Sequence, residues 1–284
     1  MASPTVMAVR LFKRRAVVVQ RLRRLVPPAG FRALQREFLR KRGIEIGGPS
    51  AVFMRFNRWP IYQLDCRLDN LDYAAATIWT GSQHGMVTSS RFEHQFIGEA
   101  TNPGELEKGA YDFLLSSHVL EHTANPLKAL TTWKTLVKPG GHILVVVPHR
   151  EATFDHRRPV TRLEHLESDF AANVGEDDQT HFDEVLRLDD LSRHPEAMDH
   201  DTLLARTKQN LQHRSIHHHV FDTELVLRVM DLAGLRIEYV DPQLPNHICA
   251  VGRVAAADNR EVLSPAARWR LKSPFGSDRP DQSQ

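Results

Sequence analysis

Cysteine is scarce in this chain, and no part of it is apolar over a long stretch. Its 284 residues include two cysteines, Cys66 and Cys249, whose wide separation argues against a disulfide framework or a cysteine zinc motif. No apolar run approaches the length of a membrane span. The formal net charge of +2 gives no reason to expect a nucleic-acid partner. The dinucleotide fingerprint G-x-G-x-x-G is also absent, which argues against a nicotinamide enzyme.

A strand–helix–strand pattern occupies residues 111–149. Apolar runs at 113–115 and 143–147 indicate two buried strands, and large apolar residues at spacings of three or four between 127 and 137 indicate a helix. Two strands joined in this way lie parallel, and ligands bind beyond the carboxyl ends of such strands. Those ends carry Ser117 and His118 on the first strand and His149 on the second.

The segments D-F-L-L-S-S-H-V-L-E-H, N-P and K-P-G-G-H-I-L-V-V-V-P, in this order, resemble the class I S-adenosylmethionine-dependent methyltransferases. The resemblance implies an α/β fold: a Rossmann-like sheet with helices on both faces, a terminal antiparallel hairpin, and a helical or loop insert near the acceptor site. It divides the chain into basic N-terminal helices at 1–42, a cofactor-binding core at 43–150, an insert at 151–222, the end of the core at 223–254 and a tail at 255–284.

The same resemblance assigns the S-adenosylmethionine site to several short segments. G-I-E-I-G-G-P-S at 43–50 places an acidic residue before a glycine turn, where a Cβ would collide with the cofactor. In 61–81, an acid is expected after the second strand to bind ribose hydroxyls, and the L-D-N motif favours Asp69 over Asp65. In the family, an acid followed by alanine, here Glu99-Ala100, meets the adenine. The predicted cofactor-binding residues are Glu45, Gly47, Gly48, Ser50, Asp69, Asn70, Trp79, Glu99, Ala100, Ser117 and His118.

The insert is unusually rich in histidine, arginine and aspartate. The chain has 16 histidines, and most fall between residues 142 and 219. The blocks T-F-D-H-R-R-P, E-D-D-Q-T-H and H-H-H-V-F-D are similar to those of a bacterial methyltransferase group associated with glycan assembly. This similarity implies a saccharide or a similar polar acceptor. The predicted substrate-binding residues are Arg157, Arg158, Arg162 and His217.

Methyl transfer to a hydroxyl requires a base near the transferred methyl group. The predicted base is His149, directly after its strand, with His118 on the neighbouring strand end as its competitor. The other predicted catalytic residues are Asp155 and His156. A divalent metal, Mg²⁺ or another, is the alternative means of activating the hydroxyl. Its candidate ligands are Asp155, His156, His218 and His219. In the family, Glu121 and His122 support the helix start more often than they take part in chemistry.

Residues 9–42 are strongly basic with interleaved apolar residues. The basic residues continue through the apolar centre, which argues against a signal peptide. A peripheral membrane contact, a cover for the sheet and a homodimer contact are all open for this segment. The sequence thus predicts a cytoplasmic methyltransferase acting on a small oligosaccharide or glycan, without a nucleic-acid partner or an integral membrane segment. Its rivals are a histidine-rich metal hydrolase on an α/β scaffold and a non-catalytic scaffold protein of the same fold.

Overall fold

A seven-stranded sheet organises the protein in the computed structural model, which describes residues 29–55, 57–75, 77 and 91–279. Its strands are β1 (Arg42–Ile46), β2 (Arg67–Asp72), β3 (Gln95–Ile97), β4 (Tyr111–Ser117), β5 (Val137–Pro148), β6 (Arg236–Gln243) and β7 (His247–Arg253). Their order is β3-β2-β1-β4-β5-β7-β6. Strands β1 to β5 pair in parallel, whereas β7 is antiparallel to β5 and β6. The predicted Rossmann-like sheet and terminal hairpin are therefore confirmed.

The helices of the described residues are α1 (Ala29–Phe38), α2 (Pro126–Leu136), α3 (Leu163–Ala171), α4 (Phe182–Leu188), α5 (His200–Lys208), α6 (Asn210–His213), α7 (Thr223–Leu232) and α8 (Arg268–Lys272). Helices α3 to α6 lie in the insert between β5 and α7. None of these helices is both long enough and apolar enough to cross a lipid bilayer.

Alternating side chains along β5 separate two apolar layers. Ile143, Val145 and Val147 pack on one face with α2 and α7, whereas Leu144 and Val146 pack on the other with α1. All five side chains are fully buried. Because successive residues of a strand point to opposite faces, an uninterrupted apolar run is what a strand covered on both sides requires.

Helix α2 begins where the sequence provides a cap. The side chain of Asn125 accepts a hydrogen bond from the backbone N–H of Lys128 at 3.0 Å, and Pro126 occupies the first turn. The buried large apolar side chains of α2 are Leu127, Leu130, Trp133 and Leu136. The predicted unit of strand, helix and strand is thus present as β4, α2 and β5.

Helix α1 covers the second face of the sheet. Phe38 stacks on Phe113 of β4 with ring centroids 4.3 Å apart, and Phe31 meets the edge of Trp59 at 5.9 Å. This part of the basic N-terminal segment is therefore a cover for the sheet. Residues 1–28, which hold most of its predicted membrane or partner contacts, lie outside the described residues.

The segment after β7 differs from the predicted tail. Through residue 279 it packs on the core: Trp269 is buried, and Phe275 stacks on His149 at 3.8 Å. Asp278 is buried and accepts a hydrogen bond from Oγ1 of Thr223 at 2.6 Å. The aromatic residues of this segment have neither helical nor strand spacing. The sequence therefore did not predict that the segment folds back on the core.

Candidate active site

A cavity of about 910 Å³ opens beyond the carboxyl ends of β1, β2 and β4, and the insert forms its other wall. The strand side contributes the turn at 47–50, Asp72 and His118, and the insert contributes Phe154 and His217. Parallel α/β sheets bind their ligands at this edge.

The turn after β1 has no room for a side chain at either of its two glycines. Gly47 has φ +75°, and a Cβ on it would collide with Val119. A Cβ on Gly48 would lie 2.5 Å from Cδ of Glu45 and 2.8 Å from Oδ1 of Asn70. Bare backbone therefore faces the cavity, and this cradle fits a cofactor that must approach the main chain closely.

Glu45 lies beneath this turn and does not line the cavity. It is fully buried, and its two oxygens accept hydrogen bonds from Ser50 Oγ at 2.5 Å and Tyr62 OH at 2.6 Å. Burial raises the pKa of Glu45 to about 7, against the opposing effect of these hydrogen bonds. Ser50 itself lines the cavity. Glu45 therefore supports the turn from beneath, and the residues of the turn itself face the cavity.

The acid at the end of β2 is Asp72, and it lines the cavity. Burial raises its pKa to about 6, opposed by backbone hydrogen bonds such as that from the N–H of Tyr73. The predicted Asp69 lies three residues earlier, is fully buried, and is paired with Arg42 at 2.7 Å. Asp69 therefore has no access to the cavity, and Asp72 is the acid of β2 that a ligand could reach. Asn70 does line the cavity and holds the turn through the backbone N–H of Gly48 at 2.9 Å.

Glu99 and Ala100 line the same end of the cavity. A carboxylate oxygen of Glu99 accepts a hydrogen bond from Arg214 of the insert at 2.6 Å. Arg214 also contacts the carboxylate of Glu176 at 3.1 Å, so it joins the insert to the residues after β3. The predicted cofactor residue Trp79 lies outside the described residues.

Ser117 and His118 line the cavity at the end of β4. His118 has φ +55°, a conformation that non-glycine residues seldom adopt. Its Nε2 lies 3.0 Å from Nδ1 of His247, and its Nδ1 lies 3.2 Å from Oε1 of Glu121. These partners hold the His118 ring at the border between the strand end and the insert.

His149, the predicted base, is not part of the cavity wall. It is fully buried, its ring stacks on Phe275, and its Nε2 lies 3.3 Å from Oδ1 of Asp278. Its Nδ1 accepts a hydrogen bond from the backbone N–H of Glu151 at 3.2 Å. Both ring nitrogens are engaged away from the cavity, so His149 does not fit the role of general base.

His217 lines the cavity and has a carboxylate in close contact on its other side. Its Nδ1 lies 2.7 Å from Oδ2 of Asp155, and Thr153 donates a hydrogen bond to the other oxygen of Asp155. Burial lowers the pKa of His217, but the hydrogen bond and charge of Asp155 outweigh burial and leave it raised. The predicted catalytic residue Asp155 thus acts on a histidine that the sequence had placed among the substrate contacts.

Glu121 lies beside this pair and is fully buried. Its Oε1 lies 3.2 Å from Nδ1 of His118, and its Oε2 is buried without a hydrogen-bond partner among the described residues. Burial would raise its pKa, but the neighbouring His118, His122 and His217 leave it lowered. His122 lines the cavity and contacts His217 with ring centroids 4.8 Å apart. The residues expected to support a helix start thus stand next to the cavity histidines.

The predicted metal ligands do not come together. Nε2 of His156 lies 3.0 Å from Asp190, Nε2 of His218 accepts from Asn210 at 3.0 Å, and Asp155 serves His217. Three other groups of histidine and carboxylate form among the described residues, each with ligand atoms within 4.8 Å of one another. They are Glu121, His122 and His217; His165, Asp169, His181 and His219; and the largely exposed group of Asp69, Glu93 and His94.

The three predicted substrate arginines do not line the cavity. Arg158 is almost fully buried and donates to the backbone carbonyls of His217 and His218 at 2.7 and 3.0 Å. Arg157 is paired with Asp190, and Arg162 is exposed before α3. The arginines that do line the cavity are Arg58, Arg193, Arg206 and Arg214.

The fold is that of the class I methyltransferases, the class that binds S-adenosylmethionine. It has the sheet order of that class, a glycine turn after β1 and an acid at the end of β2. The chain belongs to the methyltransferase family, because the family model described as a methyltransferase domain matches residues 18–240.

Similar proteins include the ubiquinone biosynthesis O-methyltransferase of Maricaulis maris (strain MCS10), which is 31% identical over 91 residues. That match covers 32% of this chain and about a third, 35%, of the relative. An S-adenosylmethionine-dependent methyltransferase structure from Mesorhizobium loti shares 14% identity at a TM-score of 0.46, covering 79% of this chain and 95% of the other. A possible histamine N-methyltransferase from Thermotoga maritima shares 15% identity at a TM-score of 0.43, covering 87% and 95%.

Proposed function

We propose that this protein is an O-methyltransferase that methylates a hydroxyl of a saccharide, with His217 as the general base. The observation that carries the proposal is the 2.7 Å contact between Asp155 and the Nδ1 of His217, a residue of the cavity wall. A carboxylate behind an imidazole fixes its tautomer and orientation, and leaves the second ring nitrogen basic.

When bound, S-adenosylmethionine supplies an electrophilic methyl group on its sulfonium. The residues of the chain then have to hold the acceptor hydroxyl in line and take its proton. His217 accepts that proton, and Asp155 stabilises the imidazolium that results. The buried carboxylate of Glu121 adds a second negative charge beside the ring. Positioning supplies much of the rate, and a general base adds roughly 10²–10⁴-fold.

The polar lining of the insert wall supports a hydroxyl-rich acceptor. Arg193 and Arg206 from this wall line the cavity, together with Glu196 and His194. Such side chains donate and accept several hydrogen bonds at fixed positions, as sugar recognition requires. The resemblance of the insert to a glycan-associated bacterial group supports the same class, and within it we propose the 1-hydroxyl of a methylmannoside as the first acceptor to test.

The experiment is a methyl-transfer assay with S-adenosylmethionine against a panel of methylated and unmethylated mannosides and glucosides. His217→Asn should lower kcat by roughly 10²–10⁴-fold and leave the affinity for S-adenosylhomocysteine unchanged. His156→Asn is the matched control, because this histidine also pairs with an aspartate but lies outside the cavity wall. Equal effects of the two variants would remove His217 as the base, and cofactor binding without turnover on any acceptor would favour the scaffold protein.

A divalent metal in the cavity is the second candidate for activating the hydroxyl. The observation that favours it is the group of Glu121, His122 and His217, whose ligand atoms lie within 4.8 Å of one another. Nδ1 of His122 is engaged with the carbonyl of Ile216 at 2.8 Å, which is the kind of outer contact that orients a ligating imidazole. Activity that is lost with a chelator, restored by a divalent ion and absent in Glu121→Gln would support the metal over the free base.

A further inference from the structure

A second group of ligand-type side chains lies outside the cavity wall and has no part in the proposed reaction. His165 and Asp169 come from α3, His181 directly precedes α4, and His219 comes from the segment before α7. One ligand atom from each lies within 4.8 Å of those of the others, and none of the four residues lines the cavity. Three separate segments of the insert thus converge on one point.

The closest distances in this group suit a shared cation. Nε2 of His165 lies 3.1 Å from Nε2 of His181 and 3.2 Å from Oδ2 of Asp169. Ligands of a tetrahedral zinc ion with bonds of 2.0–2.1 Å are separated by about 3.3 Å. The planes of the three rings lie at 57° to 90° to one another, so the rings are edge-on or tilted and do not stack.

Hydrogen bonding alone does not satisfy these atoms. Nε2 of His165 carries either one proton or one lone pair, yet it has two polar neighbours within 3.2 Å. Oδ2 of Asp169 and Nδ1 of His219 are buried without a hydrogen-bond partner among the described residues. Unpaired buried polar atoms cost free energy, and a bound cation would satisfy both the lone pairs and the carboxylate.

We propose that His165, Asp169, His181 and His219 bind a structural zinc ion. Imidazole nitrogens suit zinc among the common divalent metals, and four protein ligands close the coordination shell, as in structural rather than catalytic sites. His219 is fully buried, and its Nε2 lies 3.9 Å from Oδ2 of Asp169 and 3.1 Å from the carbonyl of Ala124, so this nitrogen is the one placed to ligate the ion.

The ion would stabilise the part of the insert that carries His217 of the cavity wall. His219 lies two residues after His217, and α3 and α4 flank the same segment. Helix α3 packs on the main core through Leu166, whereas α4 belongs to a small separate cluster of Val185, Leu203 and Ile216. The ion would join α4 to α3 and to the segment of His219, a link that this small cluster does not provide.

The test uses the full chain purified without a histidine tag. Zinc is measured by elemental analysis, then removed with a chelator, and the protein is titrated with Co²⁺ alone while its visible absorption is recorded. We expect one ion per chain with the intense spectrum of tetrahedral cobalt, and protection of the insert from trypsin on metal binding. The cobalt titration of the wild-type protein depends on no variant, so misfolding cannot obscure the outcome.

Variants then locate the ion. His181→Ala and Asp169→Asn should weaken Co²⁺ binding by more than the roughly 10–100-fold that loss of an outer partner costs. His200→Ala, an exposed histidine, and His122→Ala, from the cavity group, should bind as the wild type does. No stoichiometric binding by the wild-type protein would overturn the proposal, and so would binding that survives His181→Ala but is lost in His122→Ala. Neither result depends on methyl transfer, so the proposed function stands or falls separately.

Discussion

Nδ1 of His217 lies 2.7 Å from Oδ2 of Asp155, although the two residues are 62 positions apart in the chain. Both side chains are buried, with Phe154 packed at 4.5 Å from the His217 ring. Because Asp155 is an acceptor only when it is ionised, the contact holds a proton on Nδ1 and leaves Nε2 as the basic atom.

Replacing Asp155 by asparagine should therefore lower kcat more than it lowers cofactor affinity. The amide can present its NH₂ group to Nδ1, which would move the proton to Nε2 and remove the base. We expect a loss of roughly 10²–10⁴-fold in kcat with unchanged S-adenosylhomocysteine affinity, measured by steady-state kinetics and calorimetry. Asp190→Asn is the control, because Oδ2 of Asp190 lies 3.0 Å from Nε2 of His156 and neither residue lines the cavity. Comparable losses in both variants would contradict the assignment.

Asp72 and Asp69 should separate cofactor binding from stability. Asp72→Asn removes the carboxylate at the cavity, and it should weaken S-adenosylhomocysteine binding by roughly 10–100-fold, as expected for a charged hydrogen bond. Asp69→Asn should leave that affinity unchanged and lower the free energy of unfolding by about 1–3 kcal/mol, because Arg42 and His94 lose their partner. Calorimetric titration and urea unfolding measure the two effects, and the opposite pattern would restore Asp69 as the ribose-binding acid.

Gly48→Ala should damage the cofactor turn. The added Cβ would lie 2.5 Å from Cδ of the buried Glu45, so the turn has to move away from its support. We expect a loss of stability of about 1–3 kcal/mol and weaker S-adenosylhomocysteine binding. Gly276→Ala is the matched control, because its Cβ would lie 3.7 Å from the nearest atom. Normal binding by Gly48→Ala would show that the turn has more freedom than its packing indicates.

Glu45 should make stability depend on pH below neutrality. Burial raises its pKa from 4.5 to about 7 in the folded protein, so the folded state holds the proton more tightly than the unfolded state. The contribution of Glu45 to the free energy of unfolding is fully present below about pH 4.5 and is lost as the pH rises through about 7. The change is on the order of 3 kcal/mol. Urea unfolding of the wild type and Glu45→Gln between these limits measures it. The advantage of the wild type over the variant should shrink as the pH rises, and a constant difference would contradict the assignment.

The fold was predictable because its signals are local. The β4–α2–β5 unit follows from apolar runs, helical spacing and a cap that lie within forty residues, and β6 alternates at Arg236, Ile237 and Glu238 in the expected way. Two of the differences from the predicted site depend on strand register and on distant contacts. The sequence L-D-N-L-D offers two acids, and the pairing of Asp72 with Ile97 of β3 shows that β2 continues to the second of them.

The surroundings of His149 and His217 were not predictable from the sequence for the same reason. His149 follows its strand as expected, but Phe275 and Asp278, more than 120 residues later, close over it. His217 faces the cavity because Asp155 and the insert place it there, and no short spacing announces that pairing. The cytoplasmic location and the homodimer stay predictions from the sequence.

The contacts of Asp278 bear on how the protein can be handled. Asp278 accepts hydrogen bonds from Thr223 and Ser273, both at 2.6 Å, and so latches the end of the described chain onto the first turn of α7. A shortened version that stops before Ser273 would strip the aromatic lid from His149 and leave Thr223 without this acceptor. Trimming the carboxyl end to help crystallisation would thus expose the residue that directly follows β5, next to Pro148 of the cavity wall.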